Sequence, residues 1–140
     1  PRMHPNDGRV VSNFIVQAIQ NKNLTIYGNG KQTRSFCYVD DMIDGLIKLM
    51  NSSNDFTGPV NLGNPEEINI LTLAKKIIHV INSESKIIYF DLPQDDPVKR
   101  KPDIKKALDN LDWKPKETID SGLKKTITFF QKNLIKGNYR

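Results

Sequence analysis

The chain has 140 residues, which suits a single domain with a core of its own. Its net charge is +5, and its apolar share of 37% is low for a compact domain. Sixteen of the 21 basic residues are Lys, scattered along the chain, and the one basic cluster, Lys99-Arg100-Lys101, has no aromatic residues around it. The sequence therefore argues against a nucleic-acid-binding protein and favours a small anionic ligand.

The opening of the chain predicts a helix followed by two short strands. Residues 1–8 are polar and turn-rich. Apolar residues at steps of three and four then predict an amphipathic helix over residues 9–21. A strand over residues 24–27 ends at Gly28-Asn29-Gly30, a turn that needs positive φ, and a second strand is predicted over residues 35–38.

The middle of the chain continues the alternation of helices and strands. Asp40 or Asp41 can begin a helix, since a carboxylate there meets free N–H groups. The predicted buried face of this helix consists of Ile43, Leu46, Ile47 and Met50. A brief strand over residues 60–63, a helix over residues 70–81 and a strand over residues 86–90 follow.

The last third of the chain predicts a loop and two helices. Residues 91–102 have loop composition, Asp103 caps a helix that extends to Leu111, and the final helix begins at Thr118. The order of elements predicts an α/β fold made mostly of helices with short strands. A dinucleotide-binding fold would begin with a long buried strand, a Gly-rich turn and a helix, and this sequence contains no such combination.

Cysteine and histidine are too scarce for a disulfide framework or a zinc site. Cys37 is the single cysteine, and His4 and His79 are the two histidines. With Phe36 and Tyr38 beside it, Cys37 is predicted to be a buried apolar residue rather than a nucleophile. No apolar run approaches the length of a membrane span, and nothing resembles a signal peptide. We therefore expect a cytoplasmic protein with no metal, no nucleic-acid partner and no membrane partner.

Three arginines are candidate anion-binding residues in a chain that otherwise uses Lys. Arg9 opens the first helix, Arg34 follows the glycine turn, and Arg100 lies in the loop-like segment. A guanidinium offers a rigid fork of donors that suits phosphates and carboxylates. Surface charge explains these arginines equally well. The start of the first helix can likewise present N–H groups to an anion or be an ordinary core helix.

Several segments resemble the UDP-glucuronate decarboxylases, which belong to the extended short-chain dehydrogenase/reductase family. The resemblance is carried by residues 1–14, 24–41, 60–67 and 94–104. The pattern Thr-Arg-x-Phe-x-Tyr-Val-x-Asp is shared with many nucleotide-sugar dehydratases and epimerases. The first and last segments point more narrowly to the decarboxylases. A dTDP-glucose dehydratase-like or epimerase-like enzyme remains the alternative.

The resemblance implies a role for particular residues. Arg9 matches an arginine near the NAD site, Tyr27 and Gly28 match residues that border the uracil, and Arg34 matches an arginine at the ribose-diphosphate region. Arg100 matches an arginine at the sugar end, a candidate catalytic residue that holds the glucuronate carboxylate or assists its loss. The segment that lies along the UDP-sugar corresponds to Val11, Ser12, Asn13, Phe14 and Ile15.

The resemblance also implies a reaction and a missing half. In the family, NAD oxidises C4 of UDP-glucuronate, the resulting β-keto acid loses carbon dioxide, and the same cofactor reduces the ketone to give UDP-xylose. The Gly-rich turn and the Tyr-x-x-x-Lys pair lie upstream of the position that matches Pro1. We therefore expect residues 1–140 to be a C-terminal nucleotide-sugar-binding domain without its Rossmann half, which would bind most of the NAD.

Further expectations concern the isolated chain. It should be inactive alone, and it should expose the surface that normally packs on the Rossmann half. The complete protein is expected to be a homodimer. A non-catalytic nucleotide-sugar-binding module and a remnant without function are the alternatives to an enzyme fragment.

Overall fold

The computed structural model describes residues 1–92 and 99–135. The helices are α1 Val10–Ile19, α2 Val39–Met50, α3 Ile70–Ile81, α4 Lys105–Leu111 and α5 Ile119–Ile135. The strands are β1 Leu24–Tyr27, β2 Thr33–Ser35, β3 Glu67–Asn69, β4 Ile87–Phe90 and β5 Lys99–Arg100. The predicted α/β fold with long helices and short strands is therefore confirmed.

The strands form two small sheets. In the first, β1 and β4 run parallel, with Leu24 opposite Ile87 and Tyr27 opposite Phe90. In the second, the strand order is β3-β2-β5. The central strand β2 is antiparallel to β3 and parallel to β5. The first sheet contributes buried residues to the hydrophobic core, whereas the second brings side chains from three distant parts of the chain together.

The larger hydrophobic core, called the main core below, lies between α1, α3, α5 and strand β1. Its buried members are Phe14, Ile15, Ala18, Leu24, Ile26, Ile70, Leu73, Ala74, Ile77, Leu123, Ile127 and Phe130. Helix α3 owes its ends to local chemistry: the Asn69 side chain accepts a 2.7 Å hydrogen bond from the Thr72 N–H, and Asn82 closes the helix in the left-handed conformation. These caps explain why the predicted bounds of α3 were correct.

A second core lies apart from the main core and consists of Ala107, Leu111 and Trp113 with partly buried neighbours from α2 and residues 56–62. Trp113 is 1% exposed, and its indole Nε1–H donates a 3.0 Å hydrogen bond to the backbone oxygen of Asp41. Gly45 of α2 faces this ring so closely that a Cβ there would lie 2.9 Å from it. The second core therefore requires glycine at position 45, where α2 contacts the indole ring of Trp113.

Two strand predictions were wrong. Residues 35–38 were predicted to be a strand, but β2 covers Thr33–Ser35, and Tyr38 begins α2 as its N-cap. Residues 60–63 were also predicted to be a strand, but they belong to neither sheet. The strand in this region is β3, a few residues later, which pairs antiparallel with β2 and leads directly into α3. Strand β5 falls in the predicted loop over residues 91–102, part of which lies outside the described residues.

The prediction for the buried face of α2 was wrong as well. Its apolar stripe of Ile43, Leu46, Ile47 and Met50 is exposed to solvent. The buried residues of this helix are instead Asp41 and Gly45, on the opposite side. Periodicity identified an amphipathic helix, but it could not tell which face the described chain covers.

Candidate functional site

Arg34 and Arg100 lie opposite each other on adjacent parallel strands. The register of β2 and β5 pairs Arg34 with Arg100 and Thr33 with Lys99. Residues in register on neighbouring strands direct their side chains to the same face of a sheet. Arg34 is half-buried and donates from Nη1 to the Thr33 carbonyl at 2.8 Å, while Arg100 is exposed. The fold thus places two guanidinium groups, 66 positions apart in the sequence, on one face.

Two guanidinium groups on one face of the sheet concentrate positive charge there. A diphosphate or a carboxylate offers oxygens that two guanidinium forks can bind together. The arrangement is therefore suited to an anionic ligand, as the scattered positive charge of the sequence predicted.

A second candidate surface lies at the carboxyl end of the first sheet. The glycine turn leaves β1 with φ of 70° at Gly28 and 73° at Gly30. The groove next to it has a volume of about 670 Å³ and is lined by Gly28, Asn29, Tyr89, Phe90, Asp91 and Leu92. The rings of Tyr27 and Phe90 lie 6.0 Å apart, and both residues are about half exposed. Exposed aromatic rings beside a glycine turn can receive a flat ligand such as a nucleobase.

Gln32 connects this groove to the arginine pair. Its side-chain Nε2 donates a 2.7 Å hydrogen bond to the backbone oxygen of Tyr27. Gln32 directly precedes β2, and its own carbonyl accepts from the N–H of Ile70 at the start of α3. The turn, the arginine strand and α3 are therefore held in one arrangement.

Arg9 and Val11 line a separate cavity of about 390 Å³ between the start of α1, residues 36–39 and α5. Arg9 forms an ion pair with Asp7, with 3.0 Å between Nε and Oδ2, and its side chain remains largely exposed. The lining of this cavity and that of the groove beside Gly28 share no residue. The predicted site residues thus fall into spatially distinct groups rather than one cluster.

Cys37 and Tyr38 also line the cavity. Burial raises the pKa of the Cys37 thiol to about 11, and the nearby Asp41 carboxylate adds to the shift. Desolvation is likewise the largest cause that raises the pKa of Tyr38, followed by the Asp40 carboxylate. The Lys125 ammonium lies 5.0 Å from the centre of the Tyr38 ring. A thiol with so high a pKa is a poor nucleophile, as predicted, but Cys37 is half-buried rather than buried.

The remaining predicted substrate residues lie on α1. Ser12, Phe14 and Ile15 are buried, and the Ser12 hydroxyl donates to the Arg9 carbonyl at 2.9 Å. Asn13 is half-buried and donates from Nδ2 to the Gly8 carbonyl at 3.2 Å. In this structure the three buried side chains fix the helix, so a ligand on α1 would contact its exposed edge.

Sequence reasoning missed three residues that the structure brings to these surfaces. Gln32 was not singled out, and Phe90 and Leu92 were considered only as strand and loop residues. The available signal was the adjacent aromatic pair Tyr89-Phe90 at the end of an otherwise aliphatic strand, since neighbouring strand residues face opposite sides and two adjacent rings cannot share one buried face.

The described residues contain no group of three or more His, Cys, Asp or Glu side chains placed to hold a metal ion. Within the same ranges, every helix is too short or too polar to cross a membrane.

The comparison with known proteins decides the family. The family model described as "NAD dependent epimerase/dehydratase family" matches residues 1–70, which contain α1, α2 and the glycine turn. The chain belongs to this epimerase/dehydratase family. The earlier resemblance to an extended short-chain dehydrogenase/reductase is thereby confirmed.

The curated relatives are named as one particular enzyme within this family. The chain is 52% identical over 134 residues to UDP-glucuronic acid decarboxylase 1 of Xenopus tropicalis, and 53% identical over 133 residues to that of Danio rerio. These alignments cover 96% and 95% of this chain but only 31% of each relative. The chain therefore spans about a third of the length of the curated relatives that it matches.

Solved structures of family members share the fold. UDP-glucose 4-epimerase from Thermotoga maritima, solved with UDP-glucose, matches 96% of this chain and 43% of its own length, with a TM-score of 0.89 and 27% identity. UDP-glucuronic acid 4-epimerase from Bacillus cereus, in complex with UDP-glucuronic acid and NAD, matches 94% of this chain and 42% of its own, with a TM-score of 0.87 and 26% identity. Family members in these structures thus bind UDP-sugars.

The family uses NAD, but the described residues do not form a dinucleotide cradle. Such a cradle needs a Gly-rich turn that joins a strand to a helix N-terminus. Here the glycine turn joins β1 to β2 instead.

Proposed function

We propose that this chain is the UDP-sugar-binding portion of a UDP-glucuronate decarboxylase, which converts UDP-glucuronate to UDP-xylose. The observation that carries the proposal is the register of Arg34 with Arg100 in a chain about half identical to proteins of that name. Relatives with epimerase names are about half as similar in sequence, which favours the decarboxylase over the epimerase alternative.

In this proposal the arginine pair binds the diphosphate. Arg34 is anchored through the Thr33 carbonyl and stays in place, while the exposed Arg100 is free to follow the ligand. The two guanidinium groups together attract the negative charge of the diphosphate and donate hydrogen bonds to its oxygens. Arg100 either binds the diphosphate alone or also reaches the sugar carboxylate, and these two roles predict a different dependence of affinity on the ligand.

The uracil would occupy the groove beside Gly28. Tyr27 and Phe90 supply exposed rings, and Asn29 and Asp91 supply polar groups at the same edge. Gln32 ties the backbone of this groove to β2, which sets the distance between the base and the arginine pair. Binding energy from base and diphosphate would then orient the sugar, where the reaction takes place.

The catalytic acid/base and the NAD cradle belong, in this proposal, to the part of the relatives that the chain does not span. The 140-residue chain alone should therefore bind UDP-glucuronate without releasing carbon dioxide from it. Carbon dioxide release by the purified chain would overturn this division of roles.

A calorimetric titration tests the binding proposal. The chain should bind UDP and UDP-glucuronate, and R34A and R100A should each weaken UDP binding about 10- to 100-fold, since each removes one charge-assisted contact. The matched control is K22A, which removes an exposed cation just before β1, at the opposite end of that strand from the glycine turn. It should leave the affinity within about twofold, because it changes only the diffuse charge.

The same titration separates the two roles of Arg100. If Arg100 holds only diphosphate, R100A weakens UDP and UDP-glucuronate equally. If it also holds the carboxylate, UDP-glucuronate loses more than UDP. Absence of heat at millimolar UDP from a chain with native circular dichroism would contradict the proposal as a whole.

A further inference from the structure

The glycine turn contains two adjacent residues that can react with each other. Asn29 is followed by Gly30, and no other asparagine in the sequence precedes a glycine. An asparagine loses its amide when the backbone nitrogen of the next residue attacks the side-chain carbonyl carbon. Glycine favours this attack because it has no Cβ to obstruct the approach. The reaction needs no enzyme, cofactor or metal, so the local structure decides how fast it proceeds.

The structure leaves the attacking nitrogen free. Within residues 1–92 and 99–135, the Gly30 N–H donates no hydrogen bond, although the Gly30 carbonyl accepts one from the Leu71 N–H at 3.0 Å. The N–H that follows Asn51, by contrast, donates to the Leu49 carbonyl at 3.2 Å and must leave this acceptor before its nitrogen can attack. Gly30 is buried, and a buried N–H without an acceptor is unfavourable. Attack by the Gly30 nitrogen removes that N–H.

A hydrogen bond also prepares the side chain that is attacked. The Lys31 N–H donates to Asn29 Oδ1 at 2.9 Å. This bond closes a ring of atoms that contains both Asn29 Cγ and the Gly30 nitrogen, so the two reacting atoms are kept near each other. Negative charge develops on Oδ1 during the attack, and a donor already in place there stabilises the transition state. Asn29 is exposed, so water reaches it and ammonia can leave.

We propose that Asn29 is a site of spontaneous deamidation, and that this reaction slowly lowers the affinity of the groove beside Gly28 for a nucleoside diphosphate. In the first step the Gly30 nitrogen forms a bond to Asn29 Cγ, and the bond from Cγ to the side-chain nitrogen breaks. The proton from the Gly30 nitrogen leaves with ammonia. Water then adds to one of the two carbonyls of the cyclic imide and opens the ring. Position 29 becomes aspartate or isoaspartate, and nothing is oxidised or reduced.

The product places a carboxylate in the groove. Asn29 lines this groove together with Gly28 and Asp91, so the new charge adds to that of the Asp91 carboxylate and repels a diphosphate. Isoaspartate also lengthens the backbone by a methylene group. The turn has little room for this change, because a Cβ on Gly30 would already lie 3.0 Å from Leu71 Cβ. The loss of affinity rests on the proposed function, whereas the deamidation does not.

Peptide mapping by mass spectrometry during incubation at pH 8 tests the chemical step. Conversion of Asn29 in the folded chain should proceed within about tenfold of its rate in the urea-unfolded chain, because the fold leaves the Gly30 N–H free. Asn51, which is also exposed, is the internal control in the same sample, and its conversion should be at least about tenfold slower. In water enriched in heavy oxygen, the product at position 29 should carry the label, because water opens the imide.

Calorimetric titration with UDP tests the consequence. The incubated chain should bind UDP at least about threefold more weakly than the fresh chain, and N29D should bind as weakly without incubation. N29Q is the matched variant, since its longer side chain would have to close a larger ring and therefore reacts more slowly. Whatever affinity fresh N29Q has for UDP, incubation should leave that affinity unchanged.

Three results would overturn the proposal. The first is conversion of Asn29 more than about tenfold slower in the folded chain than in urea, since the fold would then protect this residue. The second is conversion of Asn51 as fast as that of Asn29. The third is equal UDP affinity of the fresh and the fully converted chain. A fresh chain with native circular dichroism that binds no UDP would overturn the proposed function and the loss of affinity together, while the peptide map still decides the deamidation.

Discussion

The main core and the second core bury their apolar side chains in different ways. The main core collects its buried residues from three helices and a strand, and its helices pack around β1 from several sides. The second core has Ala107, Leu111 and Trp113 as its buried residues and relies on one large indole against a glycine. Small cores bury too little surface to be stable by themselves. We therefore expect the main core to contribute more to the stability of the chain than the second core does.

The two regions meet at Asp41. Its backbone oxygen accepts from the indole of Trp113, and its Oδ2 accepts from the Glu117 N–H at 2.9 Å. Asp41 is 6% exposed, so both contacts are shielded from water. Because Trp113 is the single tryptophan, its fluorescence reports on the second core, while far-UV circular dichroism is dominated by the longer helices of the main core.

The largest expected effect is on the main core. F130A should cost about 3–5 kcal/mol of unfolding free energy, because Phe130 is fully buried and its removal leaves a cavity. Urea unfolding followed by circular dichroism measures this loss. V80A, at an exposed position of α3, should cost less than about 1 kcal/mol. Equal losses for F130A and V80A would mean that the main core is not where the stability resides.

Cys37 packs against the second core, so the rate at which its thiol reacts under low urea reports how often that core opens. With a pKa of about 11, its thiolate fraction at pH 8 should be about 100-fold below that of an ordinary thiol, so alkylation by iodoacetamide should be correspondingly slow. Urea concentrations too low to change the circular dichroism should already accelerate it. Alkylation at the rate of a free thiol peptide without urea would mean that the pKa of the Cys37 thiol is not raised.

G45A should weaken the second core selectively. A Cβ would lie 2.9 Å from Trp113 Cε2 and Nε1, and the overpacking should outweigh the better helix propensity of Ala, for a net loss of about 1–2 kcal/mol. The urea midpoint from Trp113 fluorescence should fall more than the midpoint from circular dichroism. D44A changes the neighbouring half-exposed residue, whose carboxylate lies 3.5 Å from the Lys116 ammonium, and should have little effect. Equal shifts of both urea midpoints would show that the two cores unfold as one cooperative unit.

The contrast between the cores also explains what the sequence could predict. The bounds of β1 and α3 were predicted correctly, because the glycine turn and the Asn69 cap are local signals. The exposed stripe of α2 and the unpaired residues 60–62 were predicted as buried face and strand. Their apolar patterns are consistent with contacts outside the described residues, and neighbours of that kind are not encoded in the segment itself.

In the candidate site as well, residue types could be predicted from the sequence, whereas contacts between distant segments could not. Arg34 and Arg100 were each singled out from residue type, yet their pairing depends on the register of β2 with β5, which joins distant parts of the chain. Two-residue strands such as β5 carry no periodicity from which register could be read. The groove beside Gly28 needed the parallel pairing of β1 with β4 to bring Phe90 next to Tyr27.

The smallest expected effect concerns the junction of the two cores. Hydrogen bonding to Lys125 is the largest cause that lowers the pKa of Glu117, with the Ser121 hydroxyl next. A lowered folded-state pKa gives a stabilisation that is complete above the unfolded value of about 4.3 and is lost as the pH falls through the folded value. E117Q should therefore be slightly less stable than the unaltered chain at pH 7 and should approach it below about pH 4.

Urea unfolding at pH 7, 5, 4 and 3, followed by Trp113 fluorescence, measures this difference. K125A removes the other partner of the ion pair and should show the same convergence at low pH. K124A is the matched control, since it removes the neighbouring exposed cation of α5. The difference in unfolding free energy between K124A and the unaltered chain should not shrink at low pH, whereas the difference for K125A should. A constant gap between E117Q and the unaltered chain from pH 7 to pH 3 would mean that Glu117 acts through shape rather than charge. The contribution of Glu117 to the contact between the two cores would then be its backbone N–H hydrogen bond to the Asp41 carboxylate.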